Sequence, residues 1–258
     1  MIDFKNPTKT QIIRFPVFVV CQLFCIASFA YMLVTEWEEP TKYLMCLCSM
    51  ACLCLPALAE KVLKFRIPTP VYVCILVYAV CPMLGHSYNF YFKITWWDTL
   101  LHTTGGVVFA LFGAYLPRLF HKDGECNVLL CALFGLCFSV TISAVWELVE
   151  YGCDMLLHTD MQQDTVVSKI WSYFLSDTST SVAGSEEIQL IINGKVIDGY
   201  IDLGVIDTMT DVGFETLGAF VYSVVFLIDK GKHTGFHPIK KQAEQTEVPI
   251  EEKAEELS

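Results

Sequence analysis

VLLCALFGLCFSVTISAVWELVEY, residues 128–151, carries no charge until Glu147 and then places Glu150 one helical turn further on. A run this apolar crosses a hydrocarbon core of ~30 Å, for which ~17–25 helical residues suffice. Comparable runs lie near residues 15–34, 43–59, 71–90, 96–116 and 208–228. With 54% hydrophobic and only 17% charged residues, the composition excludes an ordinary soluble domain. The fold class that follows is all-α: a polytopic transmembrane helix bundle of about six spans embedded in the lipid bilayer.

Lys and Arg set the expected orientation, because short loops rich in them stay in the cytoplasm. Lys5, Lys9 and Arg14, then Lys61, Lys64 and Arg66, then Arg118 and Lys122, and finally Lys230, Lys232, Lys240, Lys241 and Lys253 fall on one side, against Lys42, Lys93, Lys169 and Lys195 on the other. The imbalance predicts a multi-pass protein of the cell membrane with both termini cytoplasmic. Ser28-Phe29-Ala30 resembles a signal cleavage site, but the roughly 20 apolar residues of the first run favour a retained signal-anchor. Pro117 is expected to stop the fourth helix at its inner end.

The chain divides by polarity. Residues 1–95 hold three nearly uncharged spans, a scaffold; residues 96–229 hold spans four to six and the intramembrane charge; residues 230–258 form an acidic tail expected to be disordered and cytoplasmic. The connection 152–206 is too polar to span and falls on the outer side, where Asn193-Gly194 between β-branched residues signals a β-hairpin. Its Trp171–Leu175 stretch is apolar enough to rest at the membrane interface. Most of the 12 cysteines lie inside spans as small packing residues, and none has a zinc-finger context. The net charge of -11, without basic patches, gives no reason to expect a nucleic-acid partner.

Ionisable groups cost roughly 2.5–3.5 kcal/mol each at the centre of a spanning helix, so those retained there mark function. Asp98 with His102, Glu147 with Glu150, and Asp207 with Asp211 are three pairs at helical spacing, each sharing a helix face. The orientation brings all three pairs to one depth near the outer interface. Glu215 continues the stripe of Asp207 and Asp211 down the sixth helix, and Gly105, Gly106 and Gly218 suit close packing of the fourth helix on the sixth. Asp98 and Asp207 also stand where a carboxylate could cap its own helix. So many carboxylates need protons or divalent cations between them, and an imidazole among them suits Zn²⁺, Mn²⁺ or Fe²⁺.

Trp97-Asp98-x-x-x-His102-x-x-Gly105, Trp146-Glu147-Leu148-Val149-Glu150-Tyr151 and Asp207-Thr208-Met209-Thr210-Asp211 resemble the motifs of the YjdF-like bacterial inner-membrane proteins. More distantly, Asp98, His102, Glu147 and Asp211-Val212-Gly213-Phe214-Glu215-Thr216-Leu217-Gly218 resemble the VanZ-like family, associated with reduced sensitivity to teicoplanin. In that family Gln is usual at the position of Glu150 and Asn at that of Glu215. The resemblance implies a bacterial cell-membrane protein with a charged site and brings no established reaction.

Two readings follow. In one, a divalent metal held by His102, Glu147, Glu150 and Asp211, with Asp98 and Asp207 as base or orienting carboxylates, serves a hydrolase or transferase acting on a lipid-linked or cell-envelope substrate. In the other, the cluster binds a cation or carries protons without catalysis, as in a transporter or an envelope-stress module. A reporter fused near Ser181 is expected to be extracellular in either case; protection of that reporter inside the cell would overturn the orientation.

Overall fold

The computed structural model describes residues 9–121, 126–178, 180–231 and 237–238. Six stretches among them are helical, long and apolar enough to cross a membrane: 12–35, 40–63, 69–87, 97–118, 128–157 and 205–228. The expected bundle of six spans is therefore present. The first span is α1 (Lys9–Thr35), which runs through Pro16.

The second and third spans are each built from two helices, where the sequence reading expects one. α2 (Pro40–Cys52) gives way to α3 (Leu55–Leu63), and α4 (Thr69–Tyr78) gives way to α5 (Cys81–Ser87). The cause is proline chemistry: Pro56 and Pro82, each second in its helix, have no N–H to offer the carbonyls of Cys52 and Tyr78. The backbone tightens there, with Cys54 N–H bonding Ala51 O at 3.0 Å and Val80 N–H bonding Val77 O at 3.1 Å. After the short α6 (Phe90–Lys93), the fourth span is α7 (Trp97–Phe120). Pro117 does not stop α7 as expected; it falls in the last turn, where it removes only one helical bond.

α8 (Val128–Leu157) is the fifth span and continues helically past Gly152 to a left-handed cap at His158. α9 (Val205–Ile228) is the sixth. Between them run short antiparallel strand pairs. β2 (Thr165–Val167) pairs with β7 (Tyr200–Asp202), closing the base of the connection; β3 (Ile170–Ser172) pairs with β4 (Ala183–Ser185); β5 (Gln189–Ile192) pairs with β6 (Lys195–Asp198). The last pair is the hairpin expected at Asn193-Gly194, both residues having the positive φ its tight turn requires. Trp171, Tyr173 and Phe174 project from this layer, exposed. At the opposite end of the bundle β1 (Phe65–Arg66) pairs with β8 (His237–Pro238), and the rest of the acidic tail lies outside the described residues.

Packing follows the two-part division. α1, α2, α4 and α5 enclose an apolar core around Cys25, Leu53, Phe65, Leu76 and Met83. Arg14 of α1 staples its edge, bonding Glu60 at 2.8 Å and Thr69 at 3.2 Å, donating to the Ile67 carbonyl and lying over the Tyr72 ring. α7, α8 and α9 pack pairwise into a second unit. On α7, Gly106 lies where any Cβ would run into the backbone of Glu215 and Ala219; on α9, Gly218 meets the backbone of Thr103 in the same way. Glycine is needed at both places because the two backbones touch.

Gly106→Val or Gly218→Val should therefore destabilise the detergent-solubilised protein by about 1–3 kcal/mol or more, read as a lowered thermal midpoint. Gly213→Ala, with nothing within 4 Å of the new methyl, should leave it unchanged or slightly raised.

Candidate metal centre

Asp98 is the second residue of α7 and His102 lies one turn further in, so both face the interior of the α7–α8–α9 unit. α9 enters from Gly204, whose left-handed backbone forms its N-cap, and Asp202 accepts the Ile206 N–H at 2.7 Å. The capping role the sequence left open for Asp98 and Asp207 thus goes to neither, since neither side chain bonds the start of its own helix. α9 then presents Asp207, Asp211 and Glu215 at successive turns, and Asp211 and Glu215 are buried.

The backbone contact of α7 on α9 inserts His102 between these carboxylates. Its Nε2 lies 3.5 Å from Asp98 Oδ1 and 3.3 Å from Asp211 Oδ2, and its Nδ1 lies 3.6 Å from Glu215 Oε2. One donor atom each from Asp98, His102 and Asp211 falls within 4.8 Å of the others. A tetrahedral ion with bonds of ~2.0–2.1 Å needs ligand atoms about 3.3–3.4 Å apart, which the two Nε2 distances match. The second nitrogen faces Glu215 beyond hydrogen-bond range and is itself unpartnered; Glu215 Oε1 accepts from Ser139 Oγ at 3.4 Å, and Ser139 also bonds the Gly106 carbonyl at 3.2 Å. A carboxylate facing the far nitrogen favours the tautomer protonated there, which leaves Nε2 free to ligate. These residues could hold a metal ion.

α8 contributes Glu147 and Glu150, both buried. They lie within electrostatic reach of His102 and Asp98, although the three-residue donor group does not include them. Asp207 is only partly buried, and its Oδ2 accepts the Gln163 N–H at 3.1 Å.

Several contributors carry no sequence signature. The segment 159–163 forms a strap across the mouth of the site, hung from Asp154 of α8. Asp154 Oδ1 accepts from Thr159 Oγ1 at 2.6 Å and from Met161 N–H at 2.7 Å, while Oδ2 accepts from Gln162 N–H at 2.8 Å. From the strap Gln162 Nε2 reaches Thr208 Oγ1 at 2.6 Å, and Gln163 Nε2 stands 3.5 Å from Asp98 Oδ2. Tyr91 of α6 packs edge-on to His86. Burial, and then the carboxylates of Asp98 and Glu150, push its phenol well above the ordinary value, so it stays protonated beside the cluster. Tyr78 of α4 donates to the Leu101 carbonyl at 3.1 Å, buttressing α7 one residue before His102.

The profile of the family described as "Predicted membrane protein (DUF2238)" matches residues 17–231. The chain belongs to this DUF2238 family. It is a multi-pass membrane protein, and the matched stretch contains all of the cluster from Asp98 to Glu215. Neither a curated protein nor a solved structure matches it.

In this DUF2238 chain the strap depends on one carboxylate. Asp154→Ala should accelerate hydrogen exchange at the Met161 and Gln162 amides by about ten- to a hundredfold, since hydrogen bonds to a charged acceptor contribute ~1.5–3 kcal/mol. Unchanged protection, measured by mass spectrometry in detergent, would place the anchor elsewhere.

Proposed function

We propose that the chain binds a divalent transition metal, zinc, manganese or iron, at Asp98, His102 and Asp211, and uses it at the outer face of the cell membrane. The observation that carries the reading is the placement of His102, with Nε2 facing two carboxylates from different helices and Nδ1 facing a third. A mixed nitrogen and oxygen donor set of this kind suits those metals better than Mg²⁺ or Ca²⁺.

Bound there, such an ion brings the pKa of a coordinated water towards neutrality and polarises a carbonyl or phosphoryl oxygen. Glu147, buried and without a hydrogen-bond partner, offers a further acceptor beside the site. Asp207 and Gln163 border the mouth, where they can orient an incoming group or exclude water. This machinery suits a hydrolase or transferase. The Lys and Arg distribution supports an outward-facing site, and the likeness of the three motifs to YjdF-like and VanZ-like inner-membrane proteins supports a cell-envelope role. A lipid-linked or cell-envelope substrate is the class that such a location offers.

One feature argues against the transport reading. Deeper than Glu215, the buried polar side chain that α9 offers is Ser223, and its hydroxyl is already committed to the Ala132 carbonyl at 3.3 Å. Among the described residues, the buried ionisable groups are gathered at one end of the bundle.

Elemental analysis of the purified, detergent-solubilised protein should find at least one equivalent of a transition metal. His102→Ala should lose it, and Glu215→Gln should weaken it by about 10–100-fold, the usual effect of removing a carboxylate that orients a ligating imidazole. A wild-type protein that neither carries nor takes up such a metal, or a His102→Ala protein that keeps it, would overturn the proposal.

A further inference from the structure

Glu147 has an unusual standing among the buried groups. It is 5% exposed, and neither Oε1 nor Oε2 has a hydrogen-bond partner. An ionised carboxylate shut away from water without a donor costs several kcal/mol, so a group in this position is matched to something that fills the space beside it. Thr208 and Gln162 stand close by, the Gln162 amide donating to the Thr208 hydroxyl at 2.6 Å, but neither reaches hydrogen-bond geometry to an oxygen of Glu147. One turn along the same face of α8, Ser143 is fully buried and its hydroxyl is also unpartnered. Glu150, 5% exposed, completes this face.

The charges point the same way. Asp211, Glu215, Glu147 and Glu150 are buried, with Asp98 and Asp207 partly so, and the basic group in ion-pair range of Asp98, Asp211 and Glu215, among the described residues, is His102. One divalent ion at Asp98, His102 and Asp211 would leave the α8 carboxylates uncompensated. We infer that Glu147 and Glu150 hold a second divalent cation beside the first, making the centre dinuclear. This rests on the reading of Asp98, His102 and Asp211 as a metal site. An all-oxygen donor set from two glutamates, with Ser143 one turn away, takes a hard ion, Mn²⁺ or Mg²⁺. Paired sites of this type place their ions ~3.5–4 Å apart.

The test is to strip the purified full-length protein of metal, dialyse it against Mn²⁺, and measure both the bound equivalents and the electron paramagnetic resonance spectrum. Two equivalents per chain with a spin-coupled spectrum are expected. Glu147→Gln and Glu150→Gln should each fall to one equivalent with the six-line pattern of an isolated ion. Because Glu147→Gln removes an unpaired charge, it should also raise the thermal midpoint of the metal-free protein, a readout that requires the variant to be folded. One equivalent in the wild type, or two in both variants, overturns the second site and leaves the first reading standing. No bound Mn²⁺ in the wild type overturns the second site, and failure to take up Zn²⁺ or Fe²⁺ as well overturns the first reading.

Discussion

Everything at the charged end of this molecule depends on how closely α7 approaches α9. Thr103 and Gly218 touch through backbone, as do Gly106 and Glu215, and the reciprocal arrangement locks the two helices in register as well as in distance. His102 lies one residue before Thr103, and Asp211 and Glu215 lie on either side of the level at which it crosses. With a Cβ at either glycine the helices would part, and contacts of 3.3–3.6 Å around the imidazole would open. The same contact that excludes side chains from the interface therefore sets the geometry of the donors.

The second constraint is electrical. Apolar helices do not tolerate unpaired carboxylates, and this bundle places several against a single imidazole. Some relief is built in: Ser139 donates to Glu215, Gln163 to Asp207, and the protonated Tyr91 stands by. These donors serve the edges of the cluster. Its centre, where Asp98, His102 and Asp211 converge, is supplied with acceptors and nearly devoid of donors, a composition that could hold a cation.

How much of this was legible in the sequence varies with the range of the interaction. Spans, the Asn193-Gly194 hairpin and the helix-face pairing of Asp98 with His102 depend on local periodicity and turn chemistry, and these the residues state directly. Pro56 and Pro82 were visible as residues, but the apolarity of a whole span masks a break within it. Pro117 shows the converse error, since a proline in a last turn costs a single bond. Ser139 and Gln163 were beyond reach. A serine in an apolar helix usually bonds its own backbone, and nothing local distinguishes one that supports a carboxylate on another helix. Gln163 reaches the site from a strap held by Asp154 and Asp207, an arrangement of tertiary origin. Which three of the candidate donors converge depends on the spacing of α7 and α9, which no single helix encodes.

The length of α8 ties these levels together. Thirty residues make a helix of ~45 Å, well beyond a hydrocarbon core of ~30 Å, so α8 must protrude from the membrane. Glu147 and Glu150 lie in the body of the bundle, and Asp154 lies one turn beyond Glu150 on the same continuous rod. The strap is consequently hung from an element that is rigid with the site, and its amides meet Asp207 and Asp98 from a fixed origin. A loop held only by its own strands, β2 on β7, would hinge about their base; held additionally at Asp154, it covers the donors from a position that α8 determines. The last turns of α8 thus tie the candidate donors of the bundle to the layer of strands beyond it, through the hydrogen bonds that Asp154 accepts from the strap.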